Sequence, residues 1–137
     1  MKKIFNLKFL AIALIGMAMM SCKNDPEFHV SDLQALWLEN STQHYVRFTD
    51  EQSDRSGYFW GREWDLNEDV HEEDLEPYAN GWFHYQLEKK GDLHEIHVMD
   101  NNGAVIPKEY VVSKLTSSEL EYHEKNDKGH KFYFTKQ

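Results

Sequence analysis

Only one cysteine, Cys22, stands in the 137-residue chain, so no intramolecular disulfide can form and the fold must rest on its core. Positive charge is scarce as well. Fifteen Lys and Arg stand against 24 Asp and Glu, a net charge of −9, and such a surface repels the phosphates of nucleic acid. Long apolar runs are missing: the longest, Phe9 to Met20, has 12 residues, short of the roughly 20 that a membrane-spanning helix needs. There is no Gly-x-Ser-x-Gly elbow, no glycine loop to cradle phosphate and no internal repeat. Carboxylate neighbours such as Glu72 and Glu73 have no evident buried partner to split their acidities. A non-enzymatic protein without a cofactor is therefore expected.

What the chain does have begins at its N-terminus. Lys2, Lys3 and Lys8 precede the short apolar run, which ends in the small residue Ser21 before Cys22; that is the pattern of a secretory signal. The run Met19-Met20-Ser21-Cys22 resembles the lipobox of bacterial lipoproteins. The resemblance implies that residues 1–21 are removed and that Cys22 becomes a lipidated N-terminus. Loss of the three lysines takes the net charge to −12, so membrane contact would rest on acyl chains rather than on basic residues. Residues 22–30 then form the lipidated cysteine and a polar tether, and residues 31–137 form one domain, since the 116 residues left are enough for one core and too few for two. The charged residues after Cys22 resemble the export signals of lipoproteins in the Bacteroides group. They imply an outer-membrane anchor facing the periplasm or the cell surface.

Beyond the tether, Ser31 and Gln34 have capping-box spacing and predict one helical turn. Eight strand-like runs follow, at 36–40, 43–49, 58–64, 82–88, 93–99, 110–115, 120–124 and 130–135. Turn signals separate them, among them Lys89-Lys90-Gly91-Asp92, Asp100-Asn101-Asn102-Gly103 and Asn126-Asp127-Lys128-Gly129. Treating residues 89–92 as the loop sets Glu88 opposite Leu93, Tyr85 opposite Ile96, Phe83 opposite Val98 and His84 opposite His97. Tyr85, Leu87, His94 and Ile96 then share the core face. In the last hairpin Leu120 and Tyr122 face Phe132 and Phe134. Eight sequential antiparallel strands can abolish their edges by closing, so an all-β, up-and-down barrel is the expected fold.

From Leu33 onward the chain resembles the small lipocalin-like lipoproteins of the Bacteroides group. The residues that carry this are Leu36-Trp37, the run Tyr45-Val46-Arg47-Phe48-Thr49, and Lys114 to Tyr122. Lipocalins carry Gly-x-Trp on the first strand, with the ring plugging the closed end of the barrel; here Ala35-Leu36-Trp37 occupies those positions. The resemblance implies a lipocalin-like barrel, and none of its motifs is catalytic.

Three groups of residues are candidates for a site. Tyr58, Trp60, Arg62 and Trp64 alternate onto one face of the third strand. With Phe83, Tyr85 and His94 they would make the wall of a pocket for a small, partly apolar ligand. Three aromatics on one strand face are also what a plain core looks like. The second group, Asp65, Asn67, Asp69, Glu73 and Glu76, falls at positions 1, 3, 5, 9 and 12 of a calcium loop in a stretch with seven carboxylates in twelve residues. Val70 sits where such a loop needs glycine, and a solvated acidic loop is the plainer account. The third is the cross-strand pair His84 and His97, whose Cβ atoms would lie about 4.5–5.5 Å apart, near enough to share a metal. The alternative to a ligand carrier is an accessory subunit of an envelope complex, its partner a protein and its barrel filled by its own rings.

Overall fold

The computed structural model describes residues 27–65, 72, 81–99 and 103–137. Cys22 and the segment before it, with Asn67, Asp69, Glu73 and Glu76 of the acidic stretch, lie outside the described residues. One helical turn, α1 (Val30–Leu33), opens the domain. Eight strands follow: β1 (Leu36–Glu39), β2 (His44–Gln52), β3 (Phe59–Asp65), β4 (Trp82–Leu87), β5 (Asp92–Val98), β6 (Val105–Leu115), β7 (Glu119–Glu124) and β8 (Asp127–Lys136). Each pairs antiparallel with the next, and β8 pairs back on β1, so the sheet closes into an eight-stranded barrel without an edge. The all-β barrel expected from the strand pattern is what the chain forms. No helix among the described residues is long and apolar enough to cross a membrane.

The barrel is filled at one end. Leu33, Trp37, Phe48, Phe83, Tyr85, Leu93, Val112 and Leu120 are buried there, with Phe28, Val30 and Leu87 packed against them. Trp37 is fully enclosed, and its indole Nε1–H donates to the Leu33 carbonyl at 2.8 Å. That bond ties α1 over the closed end. The helical turn starts two residues earlier than the capping box predicts, with His29 rather than Ser31 as N-cap and no side-chain cap.

Register in the central hairpin departs from the sequence reading by one residue. Phe83 pairs with His97, His84 with Ile96, Tyr85 with Glu95 and Gln86 with His94. The cause is the turn. Gly91 sits at φ +110°, its N–H donates to the Glu88 carbonyl at 2.9 Å, and the Glu88 N–H donates to Asp92 at 2.8 Å. The loop is therefore the three residues 89–91, a tight turn followed by a left-handed glycine bulge, rather than four. Because side chains alternate, the single-residue change exchanges the two faces of β5: Leu93, Glu95 and His97 point inward, His94 and Ile96 outward.

Other differences are smaller. Strand β6 begins at Val105, five residues earlier than predicted, and runs through Pro107. Strand β7 stops opposite Tyr110, so Pro107 has a neighbour only on the β5 side, a position that tolerates a missing N–H. Between β7 and β8 the chain reverses at Lys125–Asn126, ahead of the predicted turn, and Leu120 pairs with Phe134 and Tyr122 with Phe132 as expected.

Candidate functional site

At the end opposite α1 the barrel is open, and a cavity of about 560 Å³ enters it. Alternation decides what lines it. Glu39 comes from β1, His44 and Val46 from β2, Glu63 from β3, Tyr110 from β6, Tyr122 from β7, and Phe132 and Phe134 from β8. The rings form one continuous wall: Tyr110 and Tyr122 have centroids 4.6 Å apart, and Tyr122 lies 5.5 Å from Phe132 and 5.0 Å from Phe134. Lys108 and Lys125 stand at the rim.

Across from the rings, five ionisable side chains run from the mouth inward as a hydrogen-bonded chain. Asp65 Oδ1 meets His44 Nδ1 at 2.5 Å, and His44 Nε2 meets Glu63 Oε2 at 3.2 Å. Glu63 Oε1 lies 3.4 Å from His97 Nδ1, and His97 Nε2 meets Glu95 Oε1 at 2.6 Å. Exposure falls along it: the Asp65 side chain is 51% exposed, that of Glu95 only 4%. The chain also has a rigid backing. Phe83 stacks on the His97 imidazole at 4.8 Å and 16°. Its ring passes over Gly61, where a Cβ would come within 2.3 Å of it.

Burial alone would lower the pKa of both imidazoles, yet the bonds and charges of their carboxylate partners outweigh it. His44 is raised to about 9 by Glu63 and Asp65, and His97 to about 9 by Glu63 and Glu95. Burial likewise works against Glu63, but its two imidazole partners hold its carboxyl well below the usual range. Glu95 goes the other way, because burial dominates and pushes its carboxyl up against the His97 bond. Its Oε2 is out of solvent and has no hydrogen-bond partner among the described residues. Glu39 is buried too, but the hydroxyls of Ser41 and Thr42 and the Thr42 N–H donate to it. Those donors prevail over burial and keep its pKa lowered.

Both nitrogens of His44 and of His97 are engaged by carboxylates. Neither imidazole has a nitrogen left for a general base or a metal ligand.

The seven residues predicted to form one pocket wall do not share a face. Phe83 and Tyr85 are inside and fully buried at the closed end. Trp60, Arg62 and Trp64 are on the outer face of β3: Trp60 packs edge-on to Trp82 at 5.3 Å, Trp64 stacks on Tyr45 at 5.5 Å, and Arg62 lies over Trp82 at 5.2 Å. Two indoles and a guanidinium stay outside because the inward positions beside them already hold Phe48, Phe83 and Tyr85. His94 is outside between Glu88 and Glu109, and its pKa is raised, first by the Glu88 bond. Tyr58 precedes β3, under Arg55 at 5.7 Å.

The metal readings fare differently. His84 and His97 lie on opposite faces, so the two-histidine site is excluded by the register; His84 bonds Ser53 Oγ at 2.9 Å on the outside. Asp65 of the calcium reading is spent on His44. Glu72 bridges Arg47 and Arg62, like charges directly opposite each other on neighbouring strands. Glu124, Asp127 and His130 bring ligand atoms within 4.8 Å of one another at the β7–β8 turn. That group is a surface one, and His130 already pairs with Glu124 at 3.1 Å.

The interior acids, His44 and the two tyrosines were missed by sequence reasoning. Their signal was present as the second face of β3, where Phe59, Gly61 and Glu63 alternate, and as Leu93, Glu95 and His97 on β5. No family model matches this chain, and neither a curated protein nor a solved structure does.

Proposed function

We propose that this chain is a lipid-anchored, extracytoplasmic, lipocalin-like protein that binds a small, partly apolar ligand in the open end of its barrel and performs no chemistry on it. The observation that carries this reading is the cavity. Its 560 Å³ falls within the roughly 300–1,000 Å³ of small-molecule sites, with an aromatic wall on one side and placed charges on the other. The accessory-subunit reading calls for a barrel filled throughout, whereas here a cavity enters the end opposite α1.

The anchor and the cavity have a consistent geometry. Phe28 is bonded to the Lys89 carbonyl at 2.8 Å, so the chain enters the domain at the closed end. Five residue steps separate Cys22 from Glu27, a reach of at most about 18 Å. An acyl group on Cys22 would hold the closed end toward the bilayer, leaving the mouth facing away from it.

Native mass spectrometry of the mature protein, extracted in detergent from its own cell envelope, tests the reading. A diacylated Cys22 and a co-purifying mass of a few hundred daltons are the expected result. Only the bare protein mass, from a preparation never exposed to denaturant, would refute binding. An unmodified cysteine, or Cys22→Ser leaving the protein in the membrane fraction, would refute the anchor.

A further inference from the structure

The cavity's charge balance says what kind of molecule it takes. In the chain from Asp65 to Glu95, three carboxylates face two imidazoles, so one negative charge is in excess when all are ionised. The excess is greatest at the inner end, where Glu95 Oε2 is buried without a hydrogen-bond partner among the described residues. Glu39 adds a second charge that no cation among the described residues pairs. It is 6% exposed and lines the cavity, and the donors on its oxygens, Ser41 and Thr42, are all neutral. A buried carboxylate without a cation is costly unless it is protonated or a cation comes to it.

The opposite wall offers what such a cation would use. Tyr110 and Tyr122 line the cavity, and aromatic rings attract ammonium and guanidinium groups through their negative quadrupole. The same carboxylates reach those rings. After burial, the negative charges of Glu95 and Glu63 raise the phenol pKa of both tyrosines. At the rim, Lys125 is turned to Asp92 at 3.8 Å. Lys108, exposed and opposite Glu95 in register, is the cation that competes with this field.

We propose that the cavity selects a cationic ligand: a compact molecule with an ammonium or quaternary nitrogen on an apolar body, the nitrogen held between the interior carboxylates and the faces of Tyr110 and Tyr122. This rests on the binding reading above and adds the ligand's charge and class to it. It also assigns Glu95 and Glu39 as the residues that determine the sign of that charge.

Three probes of one shape test it by calorimetry at pH 7: phenethylamine, 2-phenylethanol and phenylacetate, with the intact mature protein. Phenethylamine should bind at least tenfold more tightly than either of the others. Glu95→Gln keeps the oxygen that His97 needs and removes the charge; it should reduce the amine-to-alcohol ratio several-fold. Lys108→Met changes only an exposed rim residue and should raise the ratio. Alcohol or phenylacetate binding as tightly as the amine, or both variants leaving the ratio unmoved, overturns the charge selection while binding itself stands. A co-purified native ligand that is neutral or anionic would do the same. If no probe binds at millimolar concentration and the native protein carries no extra mass, the binding reading falls with it.

Discussion

Raising the pH should unlock the interior chain before it disturbs anything else. In the folded protein His44 and His97 hold their protons to about pH 9, whereas free histidine loses its proton near 6.5. Their proton-linked stabilisation is therefore complete below about pH 6.5 and is lost as the pH rises through 9. One pKa unit corresponds to about 1.4 kcal/mol, so a shift of this size is worth about 3 kcal/mol for one imidazole. Both rings lean on the same Glu63 carboxylate, so they titrate as a coupled unit, and about 3–4 kcal/mol is expected for the pair rather than twice the single value. Glu63, held low, sets the other boundary: its share is present above the ordinary carboxylate range and is lost as the pH falls through its depressed value. Urea unfolding from pH 6.5 to 10 should thus show a steady decline. Two of the eight histidines should titrate near pH 9 by NMR. Glu63→Gln should lower both toward the ordinary range, since only Asp65 and Glu95 then remain to hold the protons, reduce the alkaline decline and cost about 2–4 kcal/mol at pH 7. Stability that is level from pH 6.5 to 9.5, or eight histidines all titrating below pH 7.5, would refute the chain as drawn.

Three further substitutions probe how the barrel holds that chain in place. Gly61→Ala would put a methyl carbon 2.3 Å from the Phe83 ring, which has no space to retreat; a loss of about 1–3 kcal/mol in urea unfolding is expected, with a shift in the His97 ring resonances, and a change under 0.5 kcal/mol would contradict the packing. Gly91→Ala meets the Val112 carbonyl at 2.8 Å and must adopt φ +110°; it should cost at least about 1–2 kcal/mol, and a neutral result would count against the three-residue loop. Trp37→Phe removes the bond to Leu33 and part of the floor; about 1–3 kcal/mol should be lost, with faster amide exchange in residues 30–33, and unchanged exchange would show that α1 is held by other contacts.

The fold was legible because its signals are redundant. Eight alternating runs separated by turn residues point to the same barrel even when single boundaries move by several residues, as β6 does at Pro107. The site had no such redundancy. On β3 both faces carry large rings, because the outer face is itself covered where Trp60 and Trp82 are only 7% exposed, so alternation separates the faces without saying which is inside. On β5 the choice hangs on the length of one turn. Counting Asp92 into the loop places His97 beside His84 and suggests a metal pair; ending the loop at Gly91 places His97 between Glu63 and Glu95. Nothing in the hydrophobic pattern separates these, since Ile96 and Val98 on one face balance Leu93 on the other. What does separate them is backbone chemistry: a glycine third after Glu88 can take the left-handed conformation that completes a three-residue bulged loop, and no other residue in Lys89-Lys90-Gly91-Asp92 takes it as easily. Gly91, the residue with no side chain, is thus the one that selects which ionisable side chains meet in the interior.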